Sequence, residues 1–253
     1  MSGKREAHIL SVARAAPAAT LPPMPDFARF DTRHYPTLSP LEGYTAWAET
    51  YEATVLDLMD LRLLERLSTV DWTQARHALD LACGTGRGGA WLRAHGVPRL
   101  DGLDLTPAML ARAEAKGAYD RLTLGDVAAT GLAAAAYDLV TMLLADEHLA
   151  DLGPVYAEAA RLAAPGARFV LVGFHPWFLM SGMPTHFDAP DGPLAIESHI
   201  HLFADHVRAA HAAGWRLAEL EEGLVDEAWI AAKPKWADKR DRPISFAMVW
   251  EAG

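Results

Sequence analysis

The stretch ALDLACGTGRGG, residues 78–89, joins a short apolar run to a glycine-rich turn and the beginning of a helix. Such a junction is typical of the first unit of a nucleotide-binding α/β fold, because glycine lets the backbone turn tightly and approach a ligand. Gly84, Gly86 and Gly89 match the spacing G-x-G-x-x-G, and Asp104 follows at the end of the next apolar run. Taken alone, this pattern also predicts a dinucleotide site.

Short apolar runs alternate with helical patterns on both sides of this stretch, which is typical of βαβ units and a largely parallel sheet. The predicted strands are 77–82, 99–103, 121–124, 138–144, 168–174, 215–225 and 244–250. The predicted helices between them are 88–95, 107–115, 152–164 and 203–213.

The remaining segments predict an arm and a cap around this core. Residues 1–35, rich in Ala and Pro, predict a flexible N-terminal arm, and residues 36–253 a single domain. Within the domain we expect an N-terminal helical cap at 36–70, a ligand-binding core at 77–174, a cap insertion at 175–202 and a C-terminal part of the sheet at 203–253.

Composition limits the partners of this chain. A formal net charge of −10 disfavours nucleic acid, whose binders concentrate Lys and Arg on one face. Cys83 is the sole cysteine, so no intrachain disulfide forms, and no apolar run is long enough for a membrane span. We expect a cytoplasmic protein, monomer or homodimer, without nucleic-acid or membrane partners. We also expect no metal, because His199, His201, His206 and His211 lack a convincingly spaced acidic or thiolate partner.

Asp80, just before the glycines, distinguishes a dinucleotide from S-adenosylmethionine as the ligand. A carboxylate at that position would repel a bound pyrophosphate. S-adenosylmethionine carries a sulfonium and an ammonium against one carboxylate, so an acid can complement it. Electrostatics therefore favours S-adenosylmethionine over a dinucleotide, although Asp80 could equally stabilise the loop through backbone amides.

The ordered set of motifs resembles the class I S-adenosylmethionine-dependent methyltransferases, in particular their small-molecule group of types 11 and 25. The motifs are LDLACGTGRG, GLDLTPAML, LGDV, and YDLVTMLLADEHLADL followed by ARLAAPGARFVLV, and the resemblance spans about residues 41–251. It implies a Rossmann-like α/β fold whose seven-stranded, mostly parallel sheet has helices on both faces, an antiparallel last strand and a helical and loop cap. It also implies an enzyme that moves a methyl group from S-adenosylmethionine to an O or N atom of a small molecule by in-line displacement, leaving S-adenosylhomocysteine.

The resemblance assigns cofactor roles position by position. Gly84 and Gly86 would approach the methionine and ribose portions, Asp104 the ribose hydroxyls, Asp126 the adenine amino group, and the Val127 amide the adenine ring. The structural alternatives are a strand-end acid beside a helix cap for Asp104 and an ordinary turn aspartate for Asp126. The full predicted set is Tyr44, Tyr51, Asp80, Ala82, Gly84, Thr85, Gly86, Asp104, Leu105, Met109, Gly125, Asp126, Val127 and Leu143.

The acceptor side is predicted from its place after the fourth and fifth strands of the core, since ligands bind beyond the carboxyl ends of parallel strands. His148 and His175 follow those strands and are the catalytic candidates, although a lone histidine more often caps or hydrogen-bonds. Lys233 could contact an anionic acceptor or lie in a solvated loop. The predicted acceptor-binding residues are Trp47, Trp177, Phe178, Met183, His199, Lys233 and Trp236.

Two other functions are compatible with the same sequence motifs. The literal G-x-G-x-x-G match would also suit an NAD-dependent oxidoreductase. The same pocket could belong to a nonenzymatic nucleoside-binding module. Cys83 is interpreted as a small packing residue.

Overall fold

Residues 25–253, the part of the chain that the computed structural model describes, contain ten strands and nine α-helices. The strands are β1 (Thr37–Leu38), β2 (Ala78–Leu81), β3 (Leu100–Asp104), β4 (Arg121–Leu124), β5 (Tyr137–Leu143), β6 (Ala163–Phe174), β7 (His186–Ala189), β8 (Gly192–Ile196), β9 (Trp215–Leu224) and β10 (Pro243–Ala252). The helices are α1 (Pro40–Trp47), α2 (Tyr51–Thr54), α3 (Leu61–Leu64), α4 (Arg87–Ala94), α5 (Pro107–Lys116), α6 (Gly153–Leu162), α7 (Pro176–Met180), α8 (Phe203–Ala212) and α9 (Glu227–Ala232). Short 3₁₀ segments lie at Phe27–Arg29, Trp72–Gln74, Asp146–His148 and Pro234–Lys239.

The main sheet has seven strands in the order β4-β3-β2-β5-β6-β10-β9. Neighbouring strands from β4 to β6 pair in parallel, whereas β10 pairs antiparallel with both β6 and β9. This topology confirms the predicted fold class, including the antiparallel last strand. The chain leaves β2 towards β3 on one side and later returns to β5 on the other, so a crevice forms between their carboxyl ends, where ligands of open α/β sheets bind.

Both faces of the main sheet are buried, as alternation along β6 shows. Phe169 and Leu171 face one core together with Tyr156 of α6, while Val170 and Val172 face the opposite core. Successive side chains of a strand point to opposite faces, so a strand covered on both sides is apolar throughout. Full burial of each such side chain contributes about 2 kcal/mol, which keeps the strand ends at the crevice fixed.

The cap consists of the N-terminal helices and the insertion after β6. The N-terminal helical cap predicted at 36–70 contains three short helices, and α1 begins at a capping box between Ser39 and Glu42. The cap insertion predicted at 175–202 contains α7 and the hairpin β7–β8. Strand β1 pairs in parallel with β8, which joins the N-terminal cap to the insertion.

Residues 25–35 extend this cap. Most of the predicted arm, residues 1–24, lies outside the described residues. The Thr32 backbone N–H and hydroxyl both donate to the carbonyl of Gly182, at 3.2 and 3.0 Å. Thr32 of this stretch therefore contacts the insertion.

Candidate active site

Two adjoining cavities open at the crevice. The loop cavity, of about 280 Å³, lies over the turns that follow β2 to β5. The cap cavity, of about 810 Å³, lies between the N-terminal cap, the insertion and the segment 229–239. Tyr44, Tyr51 and Leu144 line both cavities and form their junction.

The glycine turn opens directly into the loop cavity. Gly84 has φ +53°, and a Cβ built on it would have no heavy atom within 4 Å. Its N–H donates to Asp104 Oδ2 at 2.8 Å, and Asp104 Oδ1 accepts from the Thr106 N–H at 2.8 Å. Burial raises the pKa of Asp104. This carboxylate ties the turn after β2 to the beginning of α5 and also lines the cavity, so its structural and ligand-facing roles coexist.

The lining of the loop cavity fits a nucleoside with a cationic group. Asp104 and Asp126 supply oxygen acceptors for hydroxyl and amino donors, while Leu105 and Met109 supply an apolar surface. Leu105 is 48% exposed where it lines the cavity. No Lys or Arg of the described residues lines this cavity, so a diphosphate would find carboxylates but no counter-charge. The residues present therefore fit S-adenosylmethionine better than a dinucleotide.

Asp80, on which the sequence-based choice of ligand depended, lines neither cavity. It is buried, and its two oxygens accept from the Tyr119 and Thr141 hydroxyls, both at 2.7 Å. Burial raises the pKa of this carboxyl to about 6. Asp80 is thus a hydrogen-bonding centre beneath the glycine turn. The carboxylates that disfavour a diphosphate in the loop cavity are instead Asp104 and Asp126.

The later glycines of the motif are required by packing. A Cβ on Gly86 would lie 3.1 Å from Tyr119, and one on Gly89 only 2.2 Å from the same ring. Close packing of α4 on Tyr119 therefore accounts for Gly86 and Gly89 without a dinucleotide. Besides Asp80 and Gly86, the predicted cofactor residues that do not line the loop cavity are Thr85 and Gly125.

Ten of the fourteen predicted cofactor residues are brought together around the loop cavity: Tyr44, Tyr51, Ala82, Gly84, Asp104, Leu105, Met109, Asp126, Val127 and Leu143. Ala82 adopts φ +53°, a left-handed conformation that costs a residue with a Cβ about 1 kcal/mol. The sharp turn at the end of β2 is thus maintained without glycine at this position.

Aromatic rings dominate the cap cavity. Five of the seven predicted acceptor residues line it: Trp47, Phe178, Met183, Lys233 and Trp236. Trp177 instead lies beneath the Arg242 guanidinium, 5.2 Å from its ring centre, and His199 lies 3.7 Å from Glu197. These two predictions are not supported, because both side chains lie outside the cavity lining.

His148, a predicted catalytic residue, lies at the junction with both ring nitrogens in use. Its Nδ1–H donates to the Glu197 carbonyl at 2.6 Å, since a carbonyl only accepts. Nε2 is hydrogen-bonded to the Tyr44 hydroxyl at 2.8 Å. His148 lines the loop cavity and holds Tyr44, a positioning role.

His175, the other predicted catalytic residue, lines neither cavity. Its Nδ1 accepts from the Trp177 N–H at 3.0 Å and caps α7, while its Nε2–H donates to Glu222 at 2.9 Å. Burial lowers the pKa of His175. In the structure this histidine caps α7 and is not brought to either cavity.

Glu147 was missed by the sequence reasoning. It is 1% exposed and lines the cap cavity. Oε1 accepts from the Thr185 hydroxyl at 3.1 Å and lies 3.4 Å from His148 Nε2, whereas Oε2 has no hydrogen-bond partner within the described part of the chain. Burial raises the pKa of Glu147 to about 6. Its only sequence signal is its place beside His148 in ADEHLADL, where three acids look alike.

Two further findings concern metals and membranes. Among residues 25–253, no group of three or more His, Cys, Asp and Glu side chains is arranged to hold a metal ion. Within the same residues, no helix combines the length and apolar character needed to cross a membrane. Cys83 is buried, and burial raises the pKa of its thiol, which agrees with a packing role.

Comparison with known proteins gives a consistent family. Residues 79–171 match the family model of a methyltransferase domain. Methyltransferase-like protein 27 of Homo sapiens is 43% identical over 91 residues, 33% of this chain and 36% of the relative. A demethylmenaquinone methyltransferase of Thermus thermophilus is 36% identical over 124 residues, 46% of this chain and 56% of the relative. The chain thus matches about half, or less, of the length of these relatives.

The same fold occurs in a crystal structure of an S-adenosylmethionine-dependent methyltransferase from Mesorhizobium loti. That structure has a TM-score of 0.62 and 24% identity, covering 77% of this chain and 97% of the other. Residues 79–171 are thus similar to methyltransferase domains, as the sequence motifs predict, and the shared fold is that of an S-adenosylmethionine-dependent methyltransferase. These relatives are methyltransferases or methyltransferase-like proteins, so they lend no support to the oxidoreductase alternative.

Proposed function

We propose, since residues 79–171 match the family model of a methyltransferase domain, that the protein is an S-adenosylmethionine-dependent methyltransferase that acts on an oxygen or nitrogen atom of a small molecule. The observation that carries the proposal is the junction of the two cavities at Tyr44, Tyr51 and Leu144. Transfer requires two ligands held in contact and in line, and a shared wall supports that arrangement. The Thermus relative, a demethylmenaquinone methyltransferase, supports a small-molecule acceptor.

The loop cavity would hold the cofactor. Asp104 would bind the ribose hydroxyls and Asp126 the adenine amino group, with Leu105 and Met109 against the ring. S-adenosylmethionine, when bound, supplies a methyl group on a positively charged sulfur. The task left to the chain is to orient the acceptor and exclude water, for which the Tyr44 and Tyr51 rings at the junction are suited, lying 6.1 Å apart.

Glu147 would receive the proton of an O–H or N–H acceptor. Its Oε2 lacks a partner in the described residues, while Thr185 holds Oε1 in place. With the pKa of Glu147 raised to about 6, the group is ionised at neutral pH and is a stronger base than an exposed glutamate. His148 would hold the adjacent Tyr44 hydroxyl rather than remove the proton.

Calorimetry with S-adenosylhomocysteine tests the proposal on the full chain. We expect binding in the micromolar range, and Asp104→Asn should weaken it at least about thirtyfold, because the cavity loses an ionised acceptor. Asp101→Asn is the matched control, since Asp101 is equally buried in β3 but bonds His77 and Tyr137 away from the cavity. Absence of binding up to about a millimolar would end the proposal.

Turnover separates an enzyme from a nonenzymatic binding module. Release of S-adenosylhomocysteine from S-adenosylmethionine would be followed with a panel of small phenols, amines and carboxylates. An acceptor-dependent release supports the enzyme. Tight cofactor binding with no release for any acceptor class would favour the nonenzymatic alternative.

A further inference from the structure

Basic side chains gather on the wall of the cap cavity of an otherwise acidic protein. The chain has a formal net charge of −10, and residues 25–253 contain only four lysines. Three of these, Lys233, Lys235 and Lys239, line the cap cavity, and Arg33 lines it from the N-terminal cap. The fourth, Lys116, pairs with a surface glutamate on α2. The clustering contrasts with the charge of the whole chain.

These four cations of the cavity wall have no carboxylate partner. None of them forms a salt bridge with any residue of the described chain. Most other arginines of the described residues, in contrast, form a salt bridge with an acid. Asp188, Asp238 and Glu147 also line the cavity. The lining therefore carries four cations against three carboxylates, a small positive excess in a strongly negative protein. Its basic groups are free to meet an anionic ligand.

Lys233 has the least favourable surroundings of the four. It is half-buried, and its Nζ lies 5.8 Å from the centre of the Trp236 ring. Burial lowers the pKa of Lys233, and the charge of Lys235 lowers it further. A partly desolvated ammonium beside a second ammonium lacks a counter-charge that a bound anion would supply.

An aromatic path connects this basic wall with the end of β6. Phe174 stacks on Phe178 at 5.6 Å, and Phe178 packs on Trp236 at 5.8 Å, the ring below Lys233. Trp229 stacks on Trp236 at 5.1 Å and completes the surface. Such a path suits an apolar or aromatic molecular body longer than one ring.

We propose that the acceptor is an elongated amphiphile whose anionic group, a carboxylate or a phosphate, binds at Lys233, Lys235 and Lys239. Its apolar body lies along the Phe174, Phe178 and Trp236 rings, and its nucleophile reaches the junction. The identification of this ligand as a methyl acceptor rests on the proposed function. The anion site itself requires no cofactor.

Direct binding in the absence of cofactor tests the site. The probes are biphenyl-4-carboxylate, biphenyl-4-yl phosphate and the neutral biphenyl-4-methanol. Their binding is measured by calorimetry and by tryptophan fluorescence, because Trp47, Trp229 and Trp236 line the cavity. We expect at least one anion to bind about tenfold or more tightly than the alcohol, and the difference to shrink in high salt. The tighter anion identifies the head group as carboxylate or phosphate.

The triple variant Lys233→Gln/Lys235→Gln/Lys239→Gln should bind the anions no more than about twofold more tightly than the alcohol, whose affinity stays near wild type. The matched control is Arg99→Gln/Arg112→Gln/Arg121→Gln, which removes three exposed charges outside both cavities and should keep the preference. Thermal unfolding of both variants verifies folding.

The outcomes distinguish this inference from the proposed function. Equal affinity of alcohol and anions for the wild type, or an anion preference that survives the lysine triple variant, overturns the anion site. Anion binding without any binding of S-adenosylhomocysteine keeps the site but removes methyl transfer. Binding of S-adenosylhomocysteine without anion preference keeps the proposed methyl transfer but removes the anion site.

Discussion

The loop cavity and the cap cavity are built from the chain in different ways. Most of the loop cavity comes from residues that directly follow β2, β3, β4 and β5, and its charged groups are carboxylates. The cap cavity draws on segments far apart in sequence, and cations and carboxylates line it together. The first is fixed wherever the sheet forms, because strand ends position it, whereas the second depends on how the cap packs. Changes in one should therefore leave the other nearly intact.

The largest difference between an effect on turnover and an effect on cofactor binding is expected from Glu147→Gln. Loss of the proton acceptor should lower kcat about 100-fold for an O–H or N–H acceptor and leave the affinity for S-adenosylhomocysteine unchanged. Wild-type kcat/KM should rise with pH and level off above about pH 6, because ionised Glu147 is the active form and its pKa is about 6. The variant should lose that rise.

Glu197→Gln is the control for this change, since Glu197 is an exposed neighbour whose carbonyl, not its carboxylate, bonds His148. Steady-state kinetics over pH 5 to about 9 makes the comparison. An unchanged pH profile in Glu147→Gln would remove Glu147 from the chemistry.

A second prediction concerns Asp146, which lies behind the junction and lines neither cavity. It is 3% exposed, and burial raises its pKa to about 7, above that of the unfolded chain. Its stabilising contribution is therefore complete below about pH 4 and lost as pH rises through about 7. Asn resembles the neutral form, so Asp146→Asn should gain about 2 kcal/mol relative to wild type between pH 5 and pH 8.

Urea unfolding at both pH values measures this difference, with the exposed Asp191→Asn as control. A parallel pH dependence for wild type and Asp146→Asn would contradict the expectation. Cofactor affinity should not change in either variant.

Tyr44→Phe probes the junction itself. The Tyr44 hydroxyl bonds His148, whereas the Tyr51 hydroxyl makes no hydrogen bond to another described residue, although both rings line both cavities. We expect Tyr44→Phe to lower kcat about tenfold and Tyr51→Phe about twofold or less, because a lost hydrogen bond costs up to about 1.4 kcal/mol. Equal effects would show that His148 does not position Tyr44 for the reaction.

The smallest effect is expected from Leu105→Ser, which alters the apolar wall of the loop cavity. Leu105 is 48% exposed, so folding stability should barely change. Affinity for S-adenosylhomocysteine should fall about fivefold, from about 1 kcal/mol of lost apolar contact. The affinity for biphenyl-4-carboxylate should stay the same. A lower affinity for it in this variant would contradict the independence of the two cavities.

The main sheet and most of the loop cavity could be predicted from the amino-acid sequence. Residues such as Gly84, Asp104 and Asp126 follow strands whose apolar runs are visible in the sequence. Parallel pairing then brings the ends of those strands together, so adjacency in sequence becomes adjacency in space.

Which acids and histidines line a cavity could be seen only in the folded chain. Asp80 turns beneath the glycine loop towards Tyr119, and His175 caps α7, whereas Glu147 lines the cap cavity and keeps one buried oxygen without a hydrogen-bond partner in the described residues. The physical reason is that a side chain's direction and burial after a strand end depend on partners contributed by distant segments. Thr185 beside Glu147 and the lysines of segment 233–239 reach the cavity only when the cap has folded.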